Sequence, residues 1–357
     1  MLETKKVFID TQYFVKAGLH FDNPALKSFR KYCERTELFH VSTTVVEREV
    51  EAKIKASVTE ALSAIQTFRR KARLLASLEH ETIKGYFKEI TEEEIYKKSN
   101  EVFEEFWEGC STEVVEASDV DPEELLTLYF EAKPPFGEGK KKSEFPDALS
   151  LLSLKSALDN DEKIYVVSDD GDLKTFCDSD PQLVSVETLD KLLDIYTKHT
   201  SVRSDQVKKY FITNKESIKE KIKSYLEDCD VYNSSGWEDA EVDEGLTVTH
   251  IGVIEPSVLY IDDEESQITF DINVEFEVSV TGPDFNNGTY DREEGRVYTF
   301  DSTTRTSKIS ETYTVEIYLH YEYADGELDN AEDDGLHIAD VSGGIEVSVE
   351  ENEEEWY

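Results

Sequence analysis

Residues 143–177 read SEFPDALSLLSLKSALDNDEKIYVVSDDGDLKTFC. An acidic loop leads into an apolar helix, a turn, the short apolar run Ile164–Val167, and a second acidic cluster. Asp147 falls at the helix start, and Asp169, Asp170 and Asp172 fall just past the strand. An open α/β sheet builds its site from side chains at strand ends and helix starts. This stretch therefore predicts such a sheet and marks one edge of it.

The upstream sequence fits the same plan. Lys5 to Asp10 (KKVFID) reads as a buried strand ending in an aspartate, and Leu38 to Ser42 as a second strand. Helices are expected over residues 14–20 and 22–35, the latter with Pro24 near its first turn. Thr43 or Thr44 can cap a long helix from Val45, whose apolar positions from Val46 to Leu75 recur mostly three or four apart. Residues 81–131 read as mostly helical, so 55–135 is expected to be a helical insertion. Leu183–Val186 closes the series as a strand, followed by a helix over 187–200. This β/α alternation predicts a parallel sheet with helices on both faces.

The charge divides the 357 residues. The net charge is −42, made of −13 over residues 1–200, near balance over 201–230, and −30 over 231–357. Residues 201–230 read as a lysine-rich helical connector. From Leu246 onward the pattern has period two, with Asp, Asn and Gly turns that include 262–265 and 325–326. This predicts an antiparallel β-rich domain over 231–357 with one wet face. Its acidity repels nucleic acid, so any polyanion belongs to residues 1–200. No apolar run is long enough to span a bilayer, and the N-terminus lacks a leader pattern. Cys33, Cys110, Cys177 and Cys229 are far apart in sequence and form no CxxC pair, as suits free thiols in a reducing compartment. A cytoplasmic protein is expected.

The acidic residues of the first 200 sort by context. Asp10 ends a strand. Glu47 and Glu49 sit on the first turns of a helix, about 200° apart around it, so only one of them can face a given site. Glu144 and Asp147 precede or open a helix, and Asp169, Asp170 and Asp172 follow a strand. Any one of these is an ordinary cap or turn residue. Their joint order puts three or four carboxylates at one sheet edge. Such a group does not stay ionised together without a cation. All-oxygen donors suit Mg²⁺ or Mn²⁺, and that chemistry supports phosphodiester hydrolysis by metal-activated water.

Four motifs resemble the PIN-domain nucleases, over roughly residues 4–195. VFIDTQYF (7–14) is similar to the family's first strand and aspartate. VSTTVVEREV (41–50) is similar to the second motif, with Glu49 aligned and Glu47 as the alternative. EFPDALSLL (144–152) supplies Asp147, and VVSDDGDLKTF (166–176) supplies Asp170 with Asp172 as accessory. Asp169 stands where the family usually has Asn, and Leu173 where it usually has Phe. The resemblance implies a Mg²⁺- or Mn²⁺-dependent nuclease, most often acting on RNA. Asp10, Glu49, Asp147 and Asp170 would be catalytic, and Asp172 a further metal ligand. The helical insertion and added C-terminal domain look like the larger bacterial members, which are associated with toxin or phage-defence roles. Haloacid dehalogenase-like phosphatases fit less well, since Gln12 stands where their second aspartate is needed.

Two basic clusters are candidate nucleic-acid contacts, Arg69, Arg70 and Arg73 late in the long helix and Lys140, Lys141 and Lys142 just before Asp147. The acidic C-terminal domain is expected to contact protein, and a homo-oligomer is left open. Two other readings stand beside the ribonuclease: a non-catalytic PIN-like binding or assembly module, and a structure-specific DNA nuclease.

Overall fold

The computed structural model describes residues 2–75, 81–88, 91–136, 144–201, 203–262, 264–292, 295–324, 327–338, 341 and 343–352. The chain divides into two compact units, Met1–His199 and Thr200–Tyr357.

In the first unit β1 (Lys6–Ile9) is followed by α1 (Thr11–Lys16) and α2 (Pro24–Glu34). Asn23 caps α2 by accepting the Leu26 N–H at 2.8 Å, and Pro24 fills a position that needs no donor. Next come β2 (Phe39–Thr43), α3 (Thr44–Lys71), α4 (Glu81–Tyr86), α5 (Glu92–Gly109) and β3 (Glu113–Val115). The unit ends with α6 (Pro122–Phe130), α7 (Phe145–Ser156), β4 (Ile164–Val167), α8 (Gly171–Asp178), β5 (Leu183–Val186) and α9 (Leu189–Thr200).

The five strands form one sheet in the order β3-β2-β1-β4-β5, with every pairing parallel. The chain winds outward from β1 through β2 to β3, then crosses back to β4 and β5 on the other side. The winding reverses between β1 and β4, and a sheet of this kind opens a crevice there, beyond its carboxyl edge. All of β4 and three of the four residues of β1 are buried, as continuous apolar runs with helices on both faces require.

Two expectations for this unit need correction. The region 55–135 is not simply an insertion. Its helix α5 sends Phe103, Phe106 and Trp107 into the core, where they meet Phe14, Phe21 and His40 at ring separations of 5.1–6.1 Å. Burial there holds His40 neutral, pushed down to about 3. Residues 113–115 also form the edge strand β3, where helix was expected. Beyond Val58 the apolar stripe of α3 leaves the core, and Phe68 is 41% exposed.

The second unit opens with α10 (Arg203–Glu227). Its strands are β6 (Val231–Asn233), β7 (Glu241–Ile251), β8 (Ser257–Ile261), β9 (Glu265–Pro283), β10 (Thr289–Asp291), β11 (Arg296–Tyr298), β12 (Ser302–Ala324), β13 (Glu327–Ile338) and β14 (Ile345–Val347). An antiparallel sheet runs β13-β12-β9-β7, with β8 also on β9. The β9–β12 ladder is continuous from Ser302 opposite Pro283 to His320 opposite Glu265. Every second residue from Ile268 to Val280 is buried, while Asp271, Asn273 and Glu275 face water, so the clean alternation gives one dry and one wet face.

The segment 201–230 is not a free connector. Val207, Phe211, Ile218, Ile222 and Leu226 of α10 are buried in one cluster with the dry face of this sheet. Their spacings of four, seven, four and four make a single helical stripe, and the lysines occupy the rest of the surface. The 262–265 turn joins β8 to β9, with the Asp262 carboxylate accepting the N–H groups of Glu264 and Glu265. The expected turn at 325–326 lies outside the described residues.

Candidate active site

Asp10 directly follows β1, and its N–H donates to the Val167 carbonyl of β4 at 3.0 Å. This places it at the reversal point of the sheet. Its side chain is only 7% exposed. The Ser168 hydroxyl, at the end of β4, donates to Asp10 Oδ2 at 3.1 Å and accepts the Asp170 N–H at 3.2 Å. Asp170 caps α8, its Oδ1 accepting the N–H groups of Asp172 and Leu173 at 2.7 and 3.1 Å. That cap uses one carboxylate oxygen and fixes the group's direction.

Glu49 lies on α3, which Thr43 caps by accepting the Val46 N–H at 3.3 Å. The Thr43 hydroxyl also pairs with the Ser150 hydroxyl on α7 at 3.0 Å. One side chain at the end of β2 therefore ties the helix that carries Glu49 to the helix that carries Asp147. Glu49 Oε2 accepts the Thr11 hydroxyl at 2.8 Å, which orients it from the residue next to Asp10. Asp147 sits in the first turn of α7.

Asp10, Glu49, Asp147 and Asp170 line one small cleft of about 270 Å³, together with Thr11, Gln12, Val15, Lys53 and Leu173. Glu47 does not line it, as the turn of the helix requires. Burial, with the nearby Glu49 charge, raises Asp10 to about 6 even though the Ser168 hydroxyl favours its ionised form. Asp147 is raised to about 7, first by burial and then by the charges of Asp10, Glu49, Asp170 and Glu144. A helix N-terminus favours negative charge, so repulsion and burial outweigh it here. Among the described residues, four acids face a single base, Lys53, in this cleft.

The donor chemistry fits a hard divalent cation, since all four acids offer oxygen alone. Among the described residues, no three His, Cys, Asp or Glu side chains are gathered closely enough to hold an ion as they stand. Without a cation, mutual repulsion keeps such carboxylates apart.

The remaining sequence candidates are placed elsewhere. Asp172 is half-buried in the first turn of α8 and does not line the cleft. Asp169 is ion-paired with Lys16 at the end of α1. Arg69 is about 30 Å along α3 from Glu49. Its guanidinium donates to the carbonyl of Tyr86 at 2.6 Å and to that of Lys88, which ties α4 and the turn after it to α3. Arg70 bonds the Thr67 hydroxyl on its own helix at 3.1 Å, and Arg73 is exposed just past the helix end. Lys140, Lys141 and Lys142 lie outside the described residues. Sequence reading missed Thr11, Ser168 and Lys53, and offered Thr43 only as a helix cap, without its contact to Ser150. Thr11 and Ser168 lay within quoted motifs, and hydroxyls beside an acidic cluster were the available signal. Lys53 had only its spacing, one helical turn past Glu49.

The family model for the PIN domain matches residues 7–173. No curated protein and no solved structure matches the chain. The match runs from β1 into α8 and includes all four acids of the cleft. Over residues 7–173 the N-terminal unit is thus similar to the PIN domain, a nuclease-like fold whose family typically uses divalent metals.

Proposed function

We propose that this protein is a Mg²⁺- or Mn²⁺-dependent endonuclease that hydrolyses phosphodiester bonds, with RNA as the favoured substrate. One observation carries the reading. Four carboxylates from four separate segments meet in one polar cleft, and two of them are raised by burial and mutual repulsion. Sites that hold acids in this state are built to receive positive charge.

Asp10, Glu49, Asp147 and Asp170 would hold the metal. When bound, it lowers the pKa of a water and offsets charge on the phosphate. The chain's own part is positioning. Ser168 holds Asp10, Thr11 holds Glu49, the α8 cap holds Asp170, and Thr43 sets α3 against α7. The acidic second unit is proposed to take a basic protein surface rather than nucleic acid, and a toxin or phage-defence role suits a nuclease joined to such a unit.

The test is a cleavage assay on RNA and DNA oligonucleotides with Mg²⁺ or Mn²⁺, using the full chain and Asp147→Asn. Cleavage of RNA by the wild type, lost in Asp147→Asn and in chelator, is the expected result. Equal cleavage by the two proteins rejects the assignment. Cleavage of DNA alone transfers the reading to a DNA nuclease, and no cleavage of either leaves the binding module.

A further inference from the structure

We propose that Lys53 is a substrate contact whose ammonium holds a non-bridging phosphate oxygen at the carboxylate cleft, with the Gln12 amide as a second donor. This rests on the hydrolytic reading above. Of the charged side chains lining the cleft among the described residues, four are acids and Lys53 alone is a base. A lysine one turn after a glutamate on a helix ordinarily pairs with it. Here Glu49 is turned to the Thr11 hydroxyl, and Lys53 makes no ion pair among the described residues. An exposed ammonium is thus held beside four acids without being neutralised by any of them. That arrangement suits a ligand that brings both a cation and an anion.

The size of the cleft narrows the ligand. About 270 Å³ equals roughly nine water molecules. Pockets that enclose whole organic ligands begin at ~300 Å³ and are mostly apolar. This cleft is polar and open, and suits a phosphodiester with its hydration better than a nucleoside. Among the described residues, Val15 and Leu173 are the apolar side chains on its wall, and no aromatic ring lines it for a base to stack on. The contact is therefore to the backbone, and Lys53 acts equally on every sequence.

Lys53→Met separates the contributions. With an unstructured RNA oligonucleotide and Mn²⁺, KM should rise roughly three- to tenfold for every sequence tested, with kcat changing much less. The salt dependence of kcat/KM should flatten by about 0.7 in log–log slope, the loss of one phosphate contact on a single strand. Lys53→Arg should restore the slope. The Mn²⁺-induced rise in melting temperature should persist in Lys53→Met, because the carboxylates are intact. An unchanged KM and salt slope overturns the proposal, and so does loss of the Mn²⁺ response. If the wild type cleaves nothing, the hydrolytic reading fails by itself. Lys53 is then judged by oligonucleotide binding, where equal affinities and salt slopes for wild type and Lys53→Met reject the contact.

Discussion

Replacing Asp10 by Asn should stabilise the metal-free protein at alkaline pH. In the unfolded chain Asp10 titrates near its ordinary 3.8, and in the folded protein near 6. Below the lower value it is neutral in both states and costs nothing. As pH rises through the higher value, the folded protein must ionise a buried carboxyl that the unfolded chain ionised earlier. Stability falls across that window by ~3 kcal/mol in total, at ~1.4 kcal/mol per pKa unit. Asn cannot ionise, yet its carbonyl still accepts the Ser168 hydroxyl. It also removes one of the charges that raise Asp147. Allowing for relaxation around the new amide, a gain of about 1–3 kcal/mol is expected near pH 8. For a unit of this size that shifts its melting temperature upward by on the order of 5 °C. Calorimetry in chelator near pH 8 and again near pH 4 measures it, and the gain should vanish at the lower pH. Added Mn²⁺ should reverse the ranking, since the wild type alone keeps a full set of acids. A variant that is no more stable near pH 8, or equally favoured at both pH values, refutes the argument.

Mn²⁺ should raise the wild-type melting temperature and have little effect on Asp147→Asn, as thermal shift will show. Thr43→Val should cost about 1–2 kcal/mol through the lost α3 cap. It should also lower kcat, because α3 and α7 lose their shared hydroxyl contact. Phe106→Ala should destabilise the first unit by ~3–5 kcal/mol in denaturant titration, since α5 is core. Phe211→Ala should cost a similar ~3–5 kcal/mol in the second unit and leave the first unit's transition in place.

The strands β1 and β4 were legible because a centre strand buried on both faces must be a continuous apolar run, and KVFI and IYVV are such runs. The acids were legible because they follow those runs or open helices. The strand β3 was not, because a three-residue edge strand with one exposed and two half-buried residues, flanked by Thr112 and Glu116, carries neither alternation nor bulk. The role of α5 was hidden by its seven glutamates, which made a core helix resemble a solvated insertion. The lysines of α10 misled in the same way. There the buried stripe Val207-Phe211-Ile218-Ile222-Leu226 was present in the sequence, but charge density was read before period. Glu47 and Glu49 could not be separated by spacing alone, because that choice depends on how α3 is rotated against β1. The Thr11 hydroxyl shows which of them faces Asp10.

The bond between Asp10 and Ser168 joins residues 158 positions apart. Its consequence concerns the making of the protein. A ribosome adds about 5–20 residues per second, so Asp10 is made roughly ten to thirty seconds before Asp170. Until β4 emerges and pairs with β1, the cleft lacks one wall and the Asp170 carboxylate that follows it. A nascent chain, or one cut short before residue 170, carries no complete set of acids while still attached to the messenger RNA that encodes it.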